Sequence, residues 1–206
     1  ERDLNMSLKN KFFLVTFHPV TLEMDSQEQF QNLLEALDEF KAKGMMILFT
    51  KANADPEGSR INQLLDEYVS SNRDHCAEFT SLGNLRYLSL MALATGVIGN
   101  SSSGIIEAPA LGVGTVNIGS RQKGRVKADS IIDCDPTPKA IKDAIRKLMT
   151  EDFQNTVQNV DNPYGNGGTA REILNYLKAV DLIPCQITFG GIIFELYPDW
   201  TLKARI

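Results

Sequence analysis

The sequence predicts an α/β fold built on a parallel sheet. Short apolar runs alternate along the chain with segments of helical periodicity. The first of these runs is nearly all apolar, as a strand covered on both faces requires. The segments between them are long enough for crossover helices, and such crossovers are right-handed.

The first run is Phe12-Phe13-Leu14-Val15-Thr16-Phe17, followed by a polar loop from His18 to Asp25. Ser26 then offers an N-cap, with Gln29 completing a capping box. Phe30, Leu33, Leu34, Leu37 and Phe40 recur at helical spacing, and Gly44 ends that helix. Met45 to Phe49 is a second strand. Breaker residues fill Lys51 to Gly58. A helix over about 59–69 places Ile61, Leu64, Leu65 and Tyr68 on one face. Cys76 to Phe79 is a third strand, Leu85 to Leu93 a buried helix, and Gly96 to Gly99 a further strand. Ile105 to Leu111 is a short helix. Thr115 to Ile118 is a strand, and Ile131-Ile132 a weak last one. Pro136 to Met149 is amphipathic, with Ile141, Ile145, Leu148 and Met149 on one side. Thr169 to Val180 is the final helix.

These elements form one domain over residues 1–180. Residues 181–206 form a tail of a different kind. It is either an apolar hairpin around Gly190-Gly191 or a stretch foreign to the domain.

Composition sets the outer bounds. The 206 residues fit one large or two small domains, at roughly 100–200 residues each. At 43% hydrophobic and 23% charged, the chain can bury a core and is not a disordered one. A net charge of −5 does not suit a nucleic-acid-coating surface. No apolar run reaches the ~20 residues of a membrane-spanning helix. Nucleic acid and membrane are therefore not expected partners. Cys76, Cys134 and Cys185 are widely spaced and lack a CxxC, which fits a reducing, cytoplasmic setting without a zinc site. The opening Glu1-Arg2-Asp3-Leu4 has no initiator Met and suggests a piece of a longer protein.

In open α/β sheets, ligands bind at the carboxyl ends of the strands. Four polar segments fall there: His18-Pro19-Val20-Thr21, Thr50 to Asp55, Gly99-Asn100-Ser101-Ser102-Ser103-Gly104, and Gly119 to Arg125. The serine segment is the sharpest. Its small residues let backbone N–H groups approach an anion at a helix start, and its hydroxyls add donors. The same serines can instead simply cap the helix. It is neither a Walker A loop nor GxGxxG. Glu107, on the first turn, can accept both hydroxyls of a ribose or complement the helix dipole. Arg121, Lys123 and Arg125 suit diphosphate oxygens or form a solvated basic loop. His18, stiffened by Pro19, can contact phosphate or transfer a proton. Tyr87 can stack a base, though packing is the commoner use. No carboxylate pair stands out.

The segments Phe17-His18-Pro19-Val20-Thr21-Leu22-Glu23, Gly99 to Pro109 and Asn117 to Arg125 resemble the hydrolysing UDP-N-acetylglucosamine 2-epimerases of sialic acid biosynthesis. Asn162-Pro163-Tyr164-Gly165-Asn166-Gly167-Gly168 resembles the family's segment before its last helix. The likeness runs from about 12 to 180.

It implies a GT-B architecture of two Rossmann-like domains, of which this chain is the C-terminal, nucleotide-holding one. It implies that the substrate, UDP-N-acetylglucosamine, loses UDP by elimination. Water then adds to the glycal, and N-acetylmannosamine is released. Neither metal nor cofactor is implied. Carried over by position, Ser102, Ser103, Gly104 and Glu107 hold UDP. His18 and Arg121 face the diphosphate, with His18 catalytic, and Asn53 approaches the nucleotide from the second strand. The N-terminal domain with the proton-transferring acids is not matched, so this chain alone is expected to be inactive. The last helix would then lack a partner for its apolar face. The full-length enzyme is expected to be a homo-oligomer. A non-hydrolysing 2-epimerase, a GT-B glycosyltransferase and a non-catalytic nucleotide-sugar-binding module share the helix-terminus site and are the alternatives.

Overall fold

The structure is a computed structural model. It describes residues 11–20, 25–53, 56–165 and 167–179, and the backbone of strands at 185–189, 192–196 and 202–205. The chain divides into two compact units, Glu1–Gly165 and Asn166–Ile206.

The first unit alternates strand and helix along most of its length, as its periodicity requires. Its elements are β1 (Phe12–Thr16), α1 (Ser26–Lys41), β2 (Met46–Thr50), α2 (Pro56–Ser70), β3 (Cys76–Phe79) and α3 (Gly83–Leu93). They continue with β4 (Gly96–Gly99), α4 (Ser103–Ala110), β5 (Thr115–Ile118), β6 (Ile131–Cys134), α5 (Pro138–Leu148) and α6 (Glu151–Gln158). The six strands form one sheet in the order β3-β2-β1-β4-β5-β6. Every neighbouring pair is parallel. That is a doubly wound, Rossmann-like order, which reverses direction between β1 and β4.

Side chains along each strand point alternately to two cores. One holds Phe13, Val15, Ile47, Phe49, Ile98 and Val116 against Phe30, Leu33 and Leu37 of α1, Ile61 and Leu65 of α2, and Ile141 and Ile145 of α5. The other holds Phe12, Leu14, Leu48 and Val97 against Leu90 and Met91 of α3 and Ala108 of α4. Each of the buried Val, Leu, Ile, Phe and Met side chains contributes about 1.5–3 kcal/mol. Helices therefore cover both faces, and functional groups are left to the strand ends. No helix among the described residues is long and apolar enough to cross a membrane.

Several local expectations need correction. Asp25, not Ser26, occupies the N-cap of α1. Gln29 donates to Asp25 Oδ1 at 2.9 Å. Ser26 Oγ instead accepts from the backbone N–H of Val20 at 3.0 Å, so it ties down the loop after β1. The helix α3 is not a buried one: Leu85 is 81% and Leu93 66% exposed. Only Leu90 and Met91 of that helix are buried, because it covers a narrow strip of the sheet. Met149 lies past the end of α5 and is exposed. The helix α6 was not foreseen. Thr150 caps it by accepting from the Phe153 N–H, and Glu151 and Asp152 fill its first turn.

In the second unit, α7 (Thr169–Ala179) exposes Ile173, Leu174, Tyr176 and Leu177. The strands β7 (Cys185–Phe189), β8 (Ile192–Leu196) and β9 (Leu202–Arg205) form an antiparallel sheet. Phe189 pairs with Ile192 across the Gly190-Gly191 step, so β7 and β8 form the hairpin. The strand β9 was not anticipated.

One glycine fixes how β4 meets β1. Gly99 has φ +135°, and a Cβ there would lie 2.0 Å from the Thr16 carbonyl oxygen. Gly99→Ala should therefore destabilise the fold by at least about 2 kcal/mol, read as a lower urea midpoint. An unchanged midpoint would refute the steric reading.

Candidate functional site

The close approach at Gly99 places Asn100 in the gap between β1 and β4. Its side chain is 1% exposed, yet it is well satisfied. The His18 backbone N–H donates to Asn100 Oδ1 at 2.7 Å, and Asn100 Nδ2 donates to the His18 carbonyl at 2.8 Å. The Asn100 N–H donates to the Thr16 carbonyl at 3.1 Å. From β5's loop, Arg121 Nη1 and Gln122 Nε2 donate to the Asn100 carbonyl at 3.1 and 2.8 Å. One residue thus gathers the loops after β1, β4 and β5.

Around this hub lies a cleft of about 420 Å3. Thr16, His18, Thr50, Tyr87, Ser101 and Ser103 are among its lining residues. Hydroxyls dominate that lining, and they contact one another. Tyr87 OH and Ser103 Oγ are 2.7 Å apart, and Ser101 and Ser103 are joined at 3.0 Å. Ser102 sits at the N-cap of α4 but makes no side-chain cap bond. Arg121, from the loop after β5, reaches the same hub through the Asn100 carbonyl. Partial burial, and then the Arg125 charge, hold its guanidinium below its ordinary pKa. An anion would relieve both effects.

The other predicted residues take different places. Gly104 is buried, and a Cβ there would lie 2.8 Å from Thr115 Cγ2, so its smallness seats α4 against β5. Thr115 Oγ1 donates to the Gly104 carbonyl at 2.8 Å. Glu107 lines a separate hollow of about 260 Å3 with Ile106, Asn162 and Tyr164. Its Oε2 is buried without a hydrogen-bond partner among the described residues. Asn53 is exposed beyond β2 and does not line the cleft. The neighbouring Ala52 is instead pinned by Asn62, which accepts from its N–H at 2.8 Å.

A second cavity, of about 790 Å3, lies elsewhere, at the ends of β5 and β6 beside α1 and α5. Its Lys127 is engaged by both oxygens of Asp133 at 2.8 Å. Its Cys134 thiol is pushed up to about 12 by burial and by Asp135 and Asp133, which leaves it protonated and unreactive.

The sequence places Asn100 and Gln122 in the rim segments and Tyr87 on a helix, but assigns no role to the two amides or to the Tyr87 hydroxyl. Asn100 carried a signal, since an amide both donates and accepts and here follows a glycine-ended strand. Gln122 and Tyr87 meet their partners only across the fold.

A doubly wound parallel sheet with polar loops gathered at its switch point defines a Rossmann-like domain, one half of a GT-B architecture. The family model for UDP-N-acetylglucosamine 2-epimerases matches residues 1–178, and the chain belongs to that family. It is 41% identical over 155 residues to a GDP/UDP-N,N'-diacetylbacillosamine 2-epimerase (hydrolyzing) of Campylobacter jejuni, covering 75% of this chain and 39% of that protein. It is also 41% identical over 164 residues to polysialic acid biosynthesis protein P7 of Escherichia coli, covering 77% of this chain and 40% of that one. The chain therefore spans about two fifths of the length of these relatives. Among solved structures, a Staphylococcus aureus MnaA–UDP co-structure superposes with TM-score 0.67 at 18% identity, over 88% of this chain and 48% of that one. A Neisseria meningitidis UDP-GlcNAc 2-epimerase bound to UDP-GlcNAc gives 0.62 at 16%, over 85% and 46%. These two share the fold.

The Asn100 clamp is directly testable. Asn100→Asp keeps the acceptor for the His18 N–H but turns an oxygen toward the His18 carbonyl. Two opposed acceptors should cost about 1–3 kcal/mol, measured by urea unfolding. A midpoint equal to wild type would show that the clamp does not hold the loop.

Proposed function

We propose that this chain is the UDP-binding half of a hydrolysing UDP-N-acetylglucosamine 2-epimerase. The observation that carries the reading is the gathering of His18, the α4 serines and Arg121 around one buried asparagine. The hydrolysing relative from Campylobacter jejuni supports the reaction type, at an identity well above that of the solved epimerases.

In this reading the pyrophosphate lies against Ser101, Ser102 and Ser103, at the positive end of α4. Arg121 and His18 flank it. Glu107, with a buried oxygen to satisfy, takes the ribose hydroxyls. The sugar C1–O bond breaks, and UDP leaves with the bonding pair. A base takes the C2 proton, and the C2–H bonding pair forms the C1–C2 double bond. Water then supplies hydroxyl to C1 and a proton to C2, giving N-acetylmannosamine. Charge builds on the departing diphosphate, where fixed donors lower the barrier most. The residues that move the C2 proton lie, in this proposal, in a second domain beyond this chain. The chain alone then binds UDP without turnover.

Calorimetric titration with UDP, with ATP as control, tests the reading. Selective UDP binding is expected, and equal binding of ATP would contradict it. Glu107→Ala should weaken UDP by about 1–3 kcal/mol. An intact fold with unchanged affinity would remove Glu107 from the site. Product analysis on a full-length protein carrying this chain should find free N-acetylmannosamine. A retained nucleotide sugar would reassign the reaction to a non-hydrolysing epimerase.

A further inference from the structure

Tyr87 is half-buried on α3, and its ring position alone suggests packing. Its hydroxyl has a more specific setting. It lies 2.7 Å from Ser103 Oγ, which lies 3.0 Å from Ser101 Oγ. Ser101 Oγ also accepts from the Ser103 backbone N–H at 3.4 Å. On the other side, Thr16 Oγ1 stands 3.5 Å from the Tyr87 oxygen, too far for a strong bond. Thr16 is instead paired with Thr50 at 2.6 Å. All five hydroxyls line the cleft.

Each hydroxyl owns one proton, so the chain has a direction. A phenol, with pKa about 10, is a better donor and a poorer acceptor than an aliphatic hydroxyl. Tyr87 therefore donates to Ser103. Ser103, having accepted, donates to Ser101. Ser101 then receives the Ser103 hydroxyl and the Ser103 N–H, and its own proton is turned outward into the cleft. Each link polarises the next.

We infer that Tyr87 is a positioning residue: it orients the serine hydroxyls so that Ser101 presents a donor to an anionic diphosphate. This rests on the nucleoside-diphosphate reading of the same cleft. It adds a group outside the phosphate-contacting set whose chemistry, rather than bulk, tunes affinity.

The test is UDP titration of the full chain as wild type, Tyr87→Phe, Ser103→Ala and the double variant. Tyr87→Phe should weaken UDP by about three- to tenfold, the scale of one net hydrogen bond. The double variant should bind no more weakly than Ser103→Ala, because Tyr87 acts only through Ser103. Placing 3-fluorotyrosine at position 87, a more acidic phenol of nearly equal size, should tighten UDP. A purely structural tyrosine would not produce that gain, and this variant carries the test should Tyr87→Phe fold poorly. Wild-type affinity in Tyr87→Phe, fully additive losses, or no response to fluorination would each overturn the inference while the UDP reading stands. A folded wild-type chain that binds no UDP would overturn the reading, and the inference with it.

Discussion

The site depends on one buried amide. Asn100 can be sealed between β1 and β4 only because each of its polar groups has a partner. Leaving even one of them unsatisfied would cost about 1–3 kcal/mol. Its backbone continues the sheet to Thr16, its side chain grips both polar atoms of the His18 backbone, and its carbonyl receives Arg121 and Gln122. The residue before it must be glycine, since a Cβ at position 99 would strike the Thr16 carbonyl. Sterics at Gly99 and hydrogen bonding at Asn100 are thus one constraint. Together they bring three loops to the point where the strand order reverses.

Packing makes that constraint rigid. Gly104 lets α4 settle against β5, and the two cores hold the sheet from either side. The positive end of α4 then stands beside the loops that carry His18 and Arg121. The charge pattern follows from the fold. Arg121 lies at the rim, where partial burial and the nearby Arg125 charge hold its guanidinium below its ordinary pKa.

Most of the fold was legible because its signals are local. The strands β1, β2 and β4 are short, mostly apolar runs, and α1, α2 and α5 show clear helical spacing. The misreadings are equally physical. Ser26 looked like a cap, but Asp25 precedes it and frees Ser26 to hold Val20. Leu85 and Leu93 made α3 look buried, whereas burial depends on how wide a strip of sheet a helix covers. For the site, His18, the serines and Arg121 could be placed at strand ends by pattern alone. Asn53 was placed by the same pattern, and it is exposed and not among the cleft's lining residues. The roles of Asn100, Gln122 and Tyr87 rest on contacts between residues 16 to 82 positions apart, which no local pattern encodes.

The most direct measurement is an amide resonance map of the isotope-labelled chain with UDP added stepwise. The account predicts the largest shifts at His18, Asn100 to Gly104, Arg121 and Gln122, saturating together with one affinity. Shifts centred instead on Lys123, Asp133 and Ala140, in the larger cavity beside α5, would contradict it.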